Sequence, residues 1–232
     1  MNIALLTAAG IGSRMKISTP KQFIYVKNKP LLVYTLEAFE NHPNIDTIVV
    51  VTLPDWIEVV KAYAKQYNIS KLKYIVAGGK DGQESIFNGL KVIKDHYSDE
   101  DAVMIHDGNR CLVSGEIISN NLATYYEYGD AVTAIPVVEV VVENNEGQSI
   151  LDRDKLWRTQ TPHTYSLSTL WKAHKKAAEL GLKRTAATCE LMALLGKEIH
   201  FSTGSEQNLK ITTSDDLLIF RAILKIRQEE EL

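Results

Sequence analysis

The sequence predicts an α/β protein built on a doubly wound, mainly parallel sheet. Four short apolar runs alternate with longer amphipathic stretches over the first half of the chain, an alternation typical of a parallel sheet covered by helices. The run Ile48-Val49-Val50-Val51 is typical of a strand buried on both faces. Polar clusters follow the runs after Ala8 and after His106, at the strand ends where open α/β sheets bind their ligands.

The elements are predicted in chain order from the spacing of apolar residues. We expect strands at residues 3–8, 46–53, 73–76 and 102–106, with helices at 30–41, 55–67 and 84–96 between them. Leu32, Leu36 and Phe39 recur at helical spacing, and Pro54 precedes the start of the second helix. A last helix is expected from Ser214 through Ile226, with Lys210 in a strand just ahead of it.

A β-hairpin arm is predicted at residues 134–153, within a single domain that covers residues 1–232. Its strands are expected at 134–143 and 148–151, joined by the turn Asn144-Asn145-Glu146-Gly147. No neighbouring helix is available to cover its run of valines, and such an exposed run usually needs a partner. We therefore expect the arm to pack against a second subunit in a homodimer; the alternative is an ordinary hairpin at the sheet edge.

Composition excludes several classes of protein. Of 232 residues, 45% are hydrophobic and 24% charged, as in ordinary globular chains rather than disordered or collagen-like ones. The 26 basic and 29 acidic residues give a net charge of -3, which does not suit a nucleic-acid-coating protein. No apolar run approaches the ~18–20 residues needed to cross a membrane. Two cysteines are too few for a disulfide framework. Because free thiols are the usual state in a reducing compartment, we expect a cytoplasmic protein.

The first polar cluster is a glycine-containing loop followed by cations. Ala8-Ala9-Gly10-Ile11-Gly12-Ser13-Arg14-Met15 follows the first strand, and Lys21 comes soon after. Glycines allow backbone N–H groups to approach an anion closely, and two cations beside them suit a polyphosphate. The loop lacks the Lys-Ser/Thr of a phosphate-binding P-loop and the third glycine of a dinucleotide fingerprint. A plain turn with solvated surface cations is the alternative.

The second polar cluster, Ile105-His106-Asp107-Gly108-Asn109-Arg110, ends the fourth predicted strand. A carboxylate at such a strand end suits Mg²⁺, which binds through one or two carboxylates together with substrate phosphates. We therefore expect Asp107 to hold Mg²⁺, with a turn-capping aspartate as the alternative. His106 is expected to be a packed strand residue rather than a base.

Two further clusters complete the pattern. Gly78-Gly79-Lys80-Asp81-Gly82-Gln83-Glu84-Ser85 suits a loop that leads into a helix, where Ser85 either binds a ligand or caps the helix. Asn208-Leu209-Lys210-Ile211-Thr212-Thr213 carries a lysine. That lysine either points into a cleft and holds a phosphate or is a solvated charge.

These clusters, in this order, resemble the IspD-type cytidylyltransferases. That family includes 2-C-methyl-D-erythritol 4-phosphate cytidylyltransferase and the ribitol-5-phosphate cytidylyltransferases of teichoic acid synthesis. The resemblance runs from Ala4 to about Leu224, and its most specific parts are AAGIGSRM with PKQ, VMIHDGNR, RTQTPHTY and NLKITTSDDL. It implies a nucleotidyltransferase Rossmann-like fold with an arm swapped across a homodimer. It also implies Mg²⁺-dependent transfer of CMP from CTP to a polyol phosphate, releasing pyrophosphate.

The resemblance also implies roles for individual residues. By this resemblance, the catalytic residues would be Arg14, Lys21 and Lys210, and the Mg²⁺ ligand would be Asp107. The nucleotide would be bound by Ala8, Ala9, Gly10, Gly12, Gly79 and Ser85. The acceptor would be bound by Arg110, Val140 and Arg153. Arg153 would reach from the arm into the acceptor site of the partner subunit.

This chain departs from the family pattern at several positions. Gly82 stands where the family usually has Arg, Val140 where it has Thr, and Ala186 where it has Asp. Asn109 and Cys111 replace the residues that usually flank Arg110. Most losses lie on the acceptor side, so we expect cytidylyl transfer to a changed or differently held acceptor. The alternatives are a sugar-nucleotide synthase with another base or acceptor, and a non-catalytic nucleotide-binding homologue.

Overall fold

A computed structural model of the chain describes residues 1–10, 19–143, 149–182, 185 and 187–230. Its strands are β1 (Asn2–Ala8), β2 (Tyr25–Val26), β3 (Lys29–Pro30), β4 (Thr47–Thr52), β5 (Leu72–Ala77), β6 (Ala102–Asp107), β7 (Asp130–Pro136), β8 (Val141–Val142), β9 (Ile150–Leu151), β10 (Trp157–Ser166) and β11 (Phe201–Thr203). Its α-helices are α1 (Leu31–Glu40), α2 (Ile57–Gln66), α3 (Gly82–His96), α4 (Gly115–Tyr128), α5 (Leu167–Glu179), α6 (Thr188–Leu194) and α7 (Ser214–Glu230). Single turns of 3₁₀ helix lie at Lys21–Phe23, Pro54–Trp56 and Arg153–Lys155.

A central sheet of the order β11-β7-β10-β6-β1-β4-β5 organises the part of the chain that the structure describes. β4, β1 and β6 are parallel neighbours, β5 is parallel to β4, and β10 runs antiparallel between β6 and β7. The chain leaves β1 towards β4 and β5 and then returns to place β6 on the other side of β1. This reversal makes a crevice at the carboxyl ends of β1 and β6, which is where doubly wound sheets bind ligands. The predicted fold class is confirmed.

Helices cover both faces of the sheet because the strand side chains alternate between two apolar layers. In β1, Ala4 and Leu6 pack in the layer under α1, α2 and α4, whereas Ile3 and Leu5 pack in the layer under α3, α5 and α6. Burying both faces explains why the strands are almost wholly apolar rather than alternating with polar residues. The four predicted strands and the three helices between them are confirmed, and no end differs by more than two residues.

A third apolar cluster attaches α7 to the body of the protein. Phe220 and Leu217 of α7 pack with Ile211, Cys111 and Leu112. The predicted last helix is confirmed, although it continues to Glu230. The prediction that Lys210 lies in a strand is wrong, because residues 204–213 form an irregular loop between β11 and α7.

The predicted arm strand at 134–143 is also wrong as one continuous element. Its first part belongs to β7 in the central sheet, which ends at Pro136. The hairpin proper is small and consists of β8 paired antiparallel with β9. Pro136 lacks a backbone N–H and is therefore poorly suited to continue a hydrogen-bonded ladder. The predicted turn at residues 144–147 lies outside the described residues.

None of the helices in the described ranges combines the length and the apolar character needed to cross a membrane.

Candidate active site

The carboxyl ends of four neighbouring strands bring the sequence clusters to one edge of the sheet. Thr7 pairs with Asp107 across β1 and β6, and Ala8 pairs with Thr52 across β1 and β4. The loop after β5 joins them through a hydrogen bond from the Gly78 N–H to the Thr52 carbonyl at 2.7 Å. The parallel register thus gathers residues that are far apart in the chain.

A first cavity of about 380 Å³ opens at this edge. The expected nucleotide-binding residues that are described, together with Lys21, all line it: Ala8, Ala9, Gly10, Gly79, Ser85 and Lys21. Asp107 and Lys210 stand on its other side. Arg14 and Gly12, which were predicted with them, lie outside the described residues. The structure therefore places residues of all four sequence clusters around one space.

Gln22 shapes the backbone that follows β1. Its buried side-chain amide donates to the carbonyl of Ala8 at 2.6 Å and to the carbonyl of Gly10 at 3.1 Å. These bonds hold the loop backbone against the short helical turn that carries Lys21. The PKQ motif contains Gln22, but the sequence does not reveal this role, because the burial of the side chain and its two carbonyl partners depend on the tertiary structure.

The loop between β5 and α3 is ordered by Asp81 and Ser85. Asp81 caps α3, because its carboxylate accepts the Glu84 N–H at 2.9 Å. The Ser85 hydroxyl accepts the Gly79 N–H at 3.0 Å and donates to the Asp81 carbonyl at 2.7 Å. The helix cap is therefore Asp81 rather than Ser85, and Ser85 closes the loop beside the first cavity.

Gly78 is needed where this loop passes under the loop after β1. A Cβ at Gly78 would come within 2.4 Å of the Ala9 Cβ and 3.4 Å of the Thr52 carbonyl oxygen. Only glycine allows the two loops to approach so closely.

Asp107 is the charged centre of the site. One carboxylate oxygen lies 2.9 Å from the Lys210 ammonium, and the other lies 3.1 Å from the Arg110 Nε. Burial alone raises the pKa of Asp107, but the charges of Lys210 and Arg110 outweigh it and hold the pKa well below its usual range. The carboxylate therefore stays ionised throughout the physiological range of pH.

Both cations are held in place by the backbone around them. Arg110 donates through Nη1 to the Asn208 carbonyl at 2.7 Å. The Ile211 N–H donates to the Asn109 carbonyl at 2.9 Å, so the loops that carry Lys210 and Arg110 are joined directly. The tertiary fold, not a strand, therefore fixes Lys210 beside Asp107.

A second cavity of about 380 Å³ lies on the other side of Asp107. It shares four wall residues with the first cavity, namely Thr7, Gly82, Asp107 and Lys210. Hydroxyl, amide and imidazole side chains form much of the rest: Gln83, Thr159, Gln160, Thr161, His163, His174, Thr185 and Thr188. Arg110 lines this cavity and not the first. The site is thus two adjoining chambers that meet at a carboxylate and its cations.

Comparison with known proteins decides the family. The model of the family described as IspD, 2-C-methyl-D-erythritol 4-phosphate cytidylyltransferase, matches residues 2–226. The chain belongs to the IspD family. It is a cytidylyltransferase, which is one kind of nucleotidyltransferase.

Individual relatives agree with this assignment. A ribitol-5-phosphate cytidylyltransferase of Vibrio parahaemolyticus is 39% identical and the alignment covers 98% of each chain. A 2-C-methyl-D-erythritol 4-phosphate cytidylyltransferase of Clostridium botulinum is also 39% identical over 97% of each chain. Among solved structures, the 4-diphosphocytidyl-2C-methyl-D-erythritol synthase of Anaerococcus prevotii matches with a TM-score of 0.82 and 25% identity, over 97% of this chain and 96% of that one.

Two of the residues that the IspD resemblance assigned to the acceptor lie away from both cavities. Val140 is exposed in the segment before β8, and Arg153 lies exposed at the short turn after β9. Arg153 donates to the Val138 carbonyl at 3.1 Å and thereby braces the arm. Within one chain, the structure brings Arg110 to the second cavity and leaves Val140 and Arg153 on the arm.

Gly82, where the IspD family usually has Arg, begins α3 and lies between the two cavities. A Cβ built on Gly82 meets no atom within 4 Å, so its side is open space. Ala186, where the family usually has Asp, lies outside the described residues, whereas its neighbour Thr185 lines the second cavity. The Thr185 hydroxyl donates to the Gln83 side-chain oxygen at 3.2 Å. The missing arginine side chain therefore leaves room at the junction of the two chambers.

His106 and Cys111 are buried side chains close to Asp107 in the sequence. Burial lowers the pKa of His106 to about 3, so its imidazole is neutral, and its Nε2 lies 3.2 Å from the Arg110 carbonyl. The prediction that His106 is a packed strand residue is confirmed. Burial raises the pKa of the Cys111 thiol to about 12, and a protonated, buried thiol is a poor nucleophile. Cys111 serves to pack α7.

Proposed function

We propose that this cytidylyltransferase moves CMP from CTP onto a polyol phosphate and releases pyrophosphate. The acceptor belongs to the class that includes ribitol 5-phosphate and 2-C-methyl-D-erythritol 4-phosphate, the substrates named for its relatives. One observation carries the proposal: Asp107 lies between Arg110 and Lys210 where two chambers meet. One chamber has glycine-loop walls suited to a nucleotide, and the other has hydroxyl-rich walls suited to a polyol.

The reaction follows from the charges on this edge. The acceptor phosphate oxygen attacks the α-phosphorus of CTP and forms a new P–O bond. The bond between the α-phosphorus and the oxygen that bridges it to the β-phosphate breaks. The electron pair leaves with pyrophosphate. Both reactants are anions, so fixed cations lower the barrier by offsetting their repulsion. Lys21 lies at the triphosphate side and Arg110 at the acceptor side, with Lys210 between them.

We propose that Asp107 also holds Mg²⁺. The described residues contain no group of three His, Cys, Asp or Glu side chains that could form a metal site by themselves. A single carboxylate suits Mg²⁺ when substrate phosphates and water supply the remaining ligands. The Asp107 side chain is 18% exposed and lines both cavities, so it is accessible to such an ion. Bound Mg²⁺ would neutralise charge on the triphosphate.

No general base is required from this chain. The attacking phosphate is already an anion and has no proton to lose. His106, the imidazole nearest in sequence to Asp107, is buried and kept neutral by its low pKa. The work of the residues is therefore positioning and charge stabilisation.

We further propose a homodimer formed through the arm. Val138, Val140 and Ile150 are 66%, 66% and 68% exposed in the single chain, an apolar surface that a partner would cover. In such a dimer, Val140 and Arg153 on the arm of one subunit would lie at the acceptor site of the other subunit, as the IspD resemblance implies.

A cytoplasmic location fits the cysteines. Cys111 and Cys189 are free and buried, and free thiols are the usual state in a reducing compartment. We propose that the enzyme acts there; fractionation of cells that express a tagged chain would test the location.

The experiment that tests the proposed function measures pyrophosphate release by the purified enzyme. Reactions would combine Mg²⁺ with CTP, UTP, GTP or ATP and with ribitol 5-phosphate, 2-C-methyl-D-erythritol 4-phosphate or glycerol 3-phosphate. We expect turnover with CTP and with at least one of the first two acceptors. Chelation by EDTA should stop the reaction, and added Mg²⁺ should restore it. An enzyme that is folded and inactive with every combination would contradict the proposal.

A further inference from the structure

A buried glutamine of β10 holds the loop that carries Lys210. The Gln160 side chain is 3% exposed. Its amide nitrogen donates to the Ser205 carbonyl at 2.8 Å, and its amide oxygen accepts the Ser205 N–H at 3.2 Å. One side chain therefore bonds both backbone groups of a single residue in the loop. We call this pair of bonds the Gln160 clasp.

Asn208 reinforces the clasp from within the loop. Asn208 is fully buried, and its side-chain amide donates to the Thr161 carbonyl at 2.9 Å and to the Gln160 side-chain oxygen at 3.3 Å. The Asn208 carbonyl accepts Nη1 of Arg110 on another side. The loop is therefore tied to β10 and to the loop after β6 at neighbouring points.

Gly204 leaves room for the clasp at the start of the loop. A Cβ at Gly204 would lie 2.5 Å from the Gln160 side-chain oxygen and 3.0 Å from methyl carbons of Thr133 and Ile135. The oxygen is the far end of a flexible side chain, so it would move first. Any side chain at position 204 would therefore push the amide of Gln160 away from Ser205.

The position of Lys210 depends on such side-chain bonds because its loop has no ladder of its own. Residues 204–213 lie between the end of β11 and the start of α7 and belong to neither element. The Lys210 ammonium nevertheless lies 2.9 Å from an Asp107 carboxylate oxygen. A charge on such a loop keeps that distance only where other groups hold the loop against the sheet. The Gln160 clasp does so on one side of the lysine, and Ile211 does so on the other.

We propose that Gln160 is a positioning residue for cytidylyl transfer and acts through Lys210. This inference rests on the proposed function and concerns the same site. Gln160 also lines the second cavity, but both ends of its amide are engaged in the loop. A fixed cation lowers the barrier only where charge develops in the transition state, and a displacement of about 1 Å can cost about 10²-fold in rate. Loss of the clasp should therefore lower kcat.

The first test compares wild-type enzyme with Gln160→Met, which has a similar length and no amide. We expect kcat for pyrophosphate release to fall roughly 10- to 100-fold. The Kd for CTP, measured by calorimetry, should stay within about threefold, because the clasp supports the transition state more than ground-state binding. Gly204→Ala keeps Gln160 but crowds its amide, and it should change kcat and Kd in the same way. It carries the same test if Gln160→Met does not fold.

A double-mutant cycle with Lys210→Ala separates positioning from a general structural role. Residues that act as a unit give losses that do not add. In the Lys210→Ala enzyme, Gln160→Met should therefore lower kcat by less than about threefold. Additive losses would show that Gln160 does not act through Lys210 and would overturn the inference.

A matched control is Asn2→Leu. Asn2 is also buried, and its side-chain amide donates to the Asn44 carbonyl at 2.8 Å at the amino end of β1, away from the site. It should lose stability and keep the wild-type kcat, and thermal unfolding would confirm that every variant is folded. Folded Gln160→Met and Gly204→Ala enzymes with wild-type kcat would overturn the inference.

Hydrogen exchange distinguishes failure of this inference from failure of the proposed function. A wild-type enzyme that releases no pyrophosphate with any acceptor would contradict the proposed function. Exchange at the backbone amides of residues 204–211 would still test the clasp, because it needs no turnover. It should be faster in Gln160→Met than in wild type and unchanged in Asn2→Leu. Equal exchange in Gln160→Met and wild type would overturn the role of the clasp.

Discussion

Asn109 and Ile211 form a pair of reciprocal hydrogen bonds that joins the two loops of the active site. The Asn109 amide donates to the Ile211 carbonyl at 2.5 Å, and the Ile211 N–H donates to the Asn109 carbonyl at 2.9 Å. Lys210 precedes Ile211, and Asp107 lies two residues before Asn109. The pair therefore holds the lysine at a fixed distance from the carboxylate, although the two charged residues are 103 positions apart in the chain.

The first prediction concerns this pair. Asn109→Ala removes the side-chain donor and leaves the buried Ile211 carbonyl without that partner, which costs about 1–3 kcal/mol of unfolding free energy. Because Lys210 is then less well fixed, kcat should also fall. Chemical denaturation and pyrophosphate release would measure the two effects. The exposed Asn41→Ala should change neither, and an Asn109→Ala enzyme with wild-type stability would contradict the role assigned to the pair.

The second prediction concerns Lys21. Lys21→Ala removes a cation from the triphosphate side of the first cavity, and the loss of one such transition-state contact costs ~2.7–4 kcal/mol, or about 10²- to 10³-fold in kcat. Steady-state pyrophosphate release would measure it. Lys65→Ala, an exposed lysine on α2, serves as the matched control. If Lys21→Ala keeps turnover within tenfold of the parent enzyme, the proposed role of Lys21 is wrong.

The third prediction concerns Asp107. Asp107→Asn keeps the shape of the side chain but removes the charge that pairs with Lys210 and Arg110 and that would hold Mg²⁺. We expect kcat/KM to fall by at least about 100-fold and the Mg²⁺ concentration for half-maximal rate to rise. A magnesium titration of the variant, with the exposed Asp95→Asn as control, would measure both. An unchanged magnesium requirement would rule out Asp107 as the metal ligand.

The fourth prediction concerns pH and His174. Burial lowers the pKa of His174 to about 4 in the folded chain, whereas an unfolded histidine titrates near 6.5. Between these values the unfolded state binds the extra proton, so stability falls as the pH is lowered, by about 1.4 kcal/mol per pH unit for each such group. His174→Phe should remove about that much of the slope between pH 6 and pH 4.5. Urea denaturation at several pH values would measure the slope, and an unchanged slope would contradict the assignment.

The fifth prediction concerns the arm. Val138→Asp combined with Ile150→Asp places two charges on the exposed apolar surface, and burying unpaired charges at an interface is strongly unfavourable. We expect the wild-type chain to sediment as a dimer and the double variant as a monomer. Leu180→Asp, on an exposed position at the end of α5, is the matched control. A wild-type chain that is monomeric at micromolar concentration would contradict the proposed dimer through the arm.

Local pattern was sufficient to predict the strands and helices of the first half of the chain. The run of valines predicts β4, and the position of each residue in β1 predicts the face of the sheet on which its side chain lies, because successive side chains of a strand point to opposite faces. The placement of Ala8, Gly79 and Asp107 at one sheet edge also followed, since parallel strands share their carboxyl ends. The arm was predicted less well: apolar composition alone did not reveal that the ladder stops after Pro136.

The amino-acid sequence by itself determined the alternation of strands and helices, the three clusters that end β1, β5 and β6, and the family resemblance that they carry. Only the tertiary structure decided that Lys210 reaches Asp107 from a loop, that Arg110 lines the second chamber and not the first, and that His163 and His174 lie buried at the wall of the second chamber. The physical reason is that a pattern of neighbours specifies local conformation and burial. Contacts between residues a hundred positions apart depend on how the helix and sheet layers pack against each other. Local sequence patterns do not specify that packing.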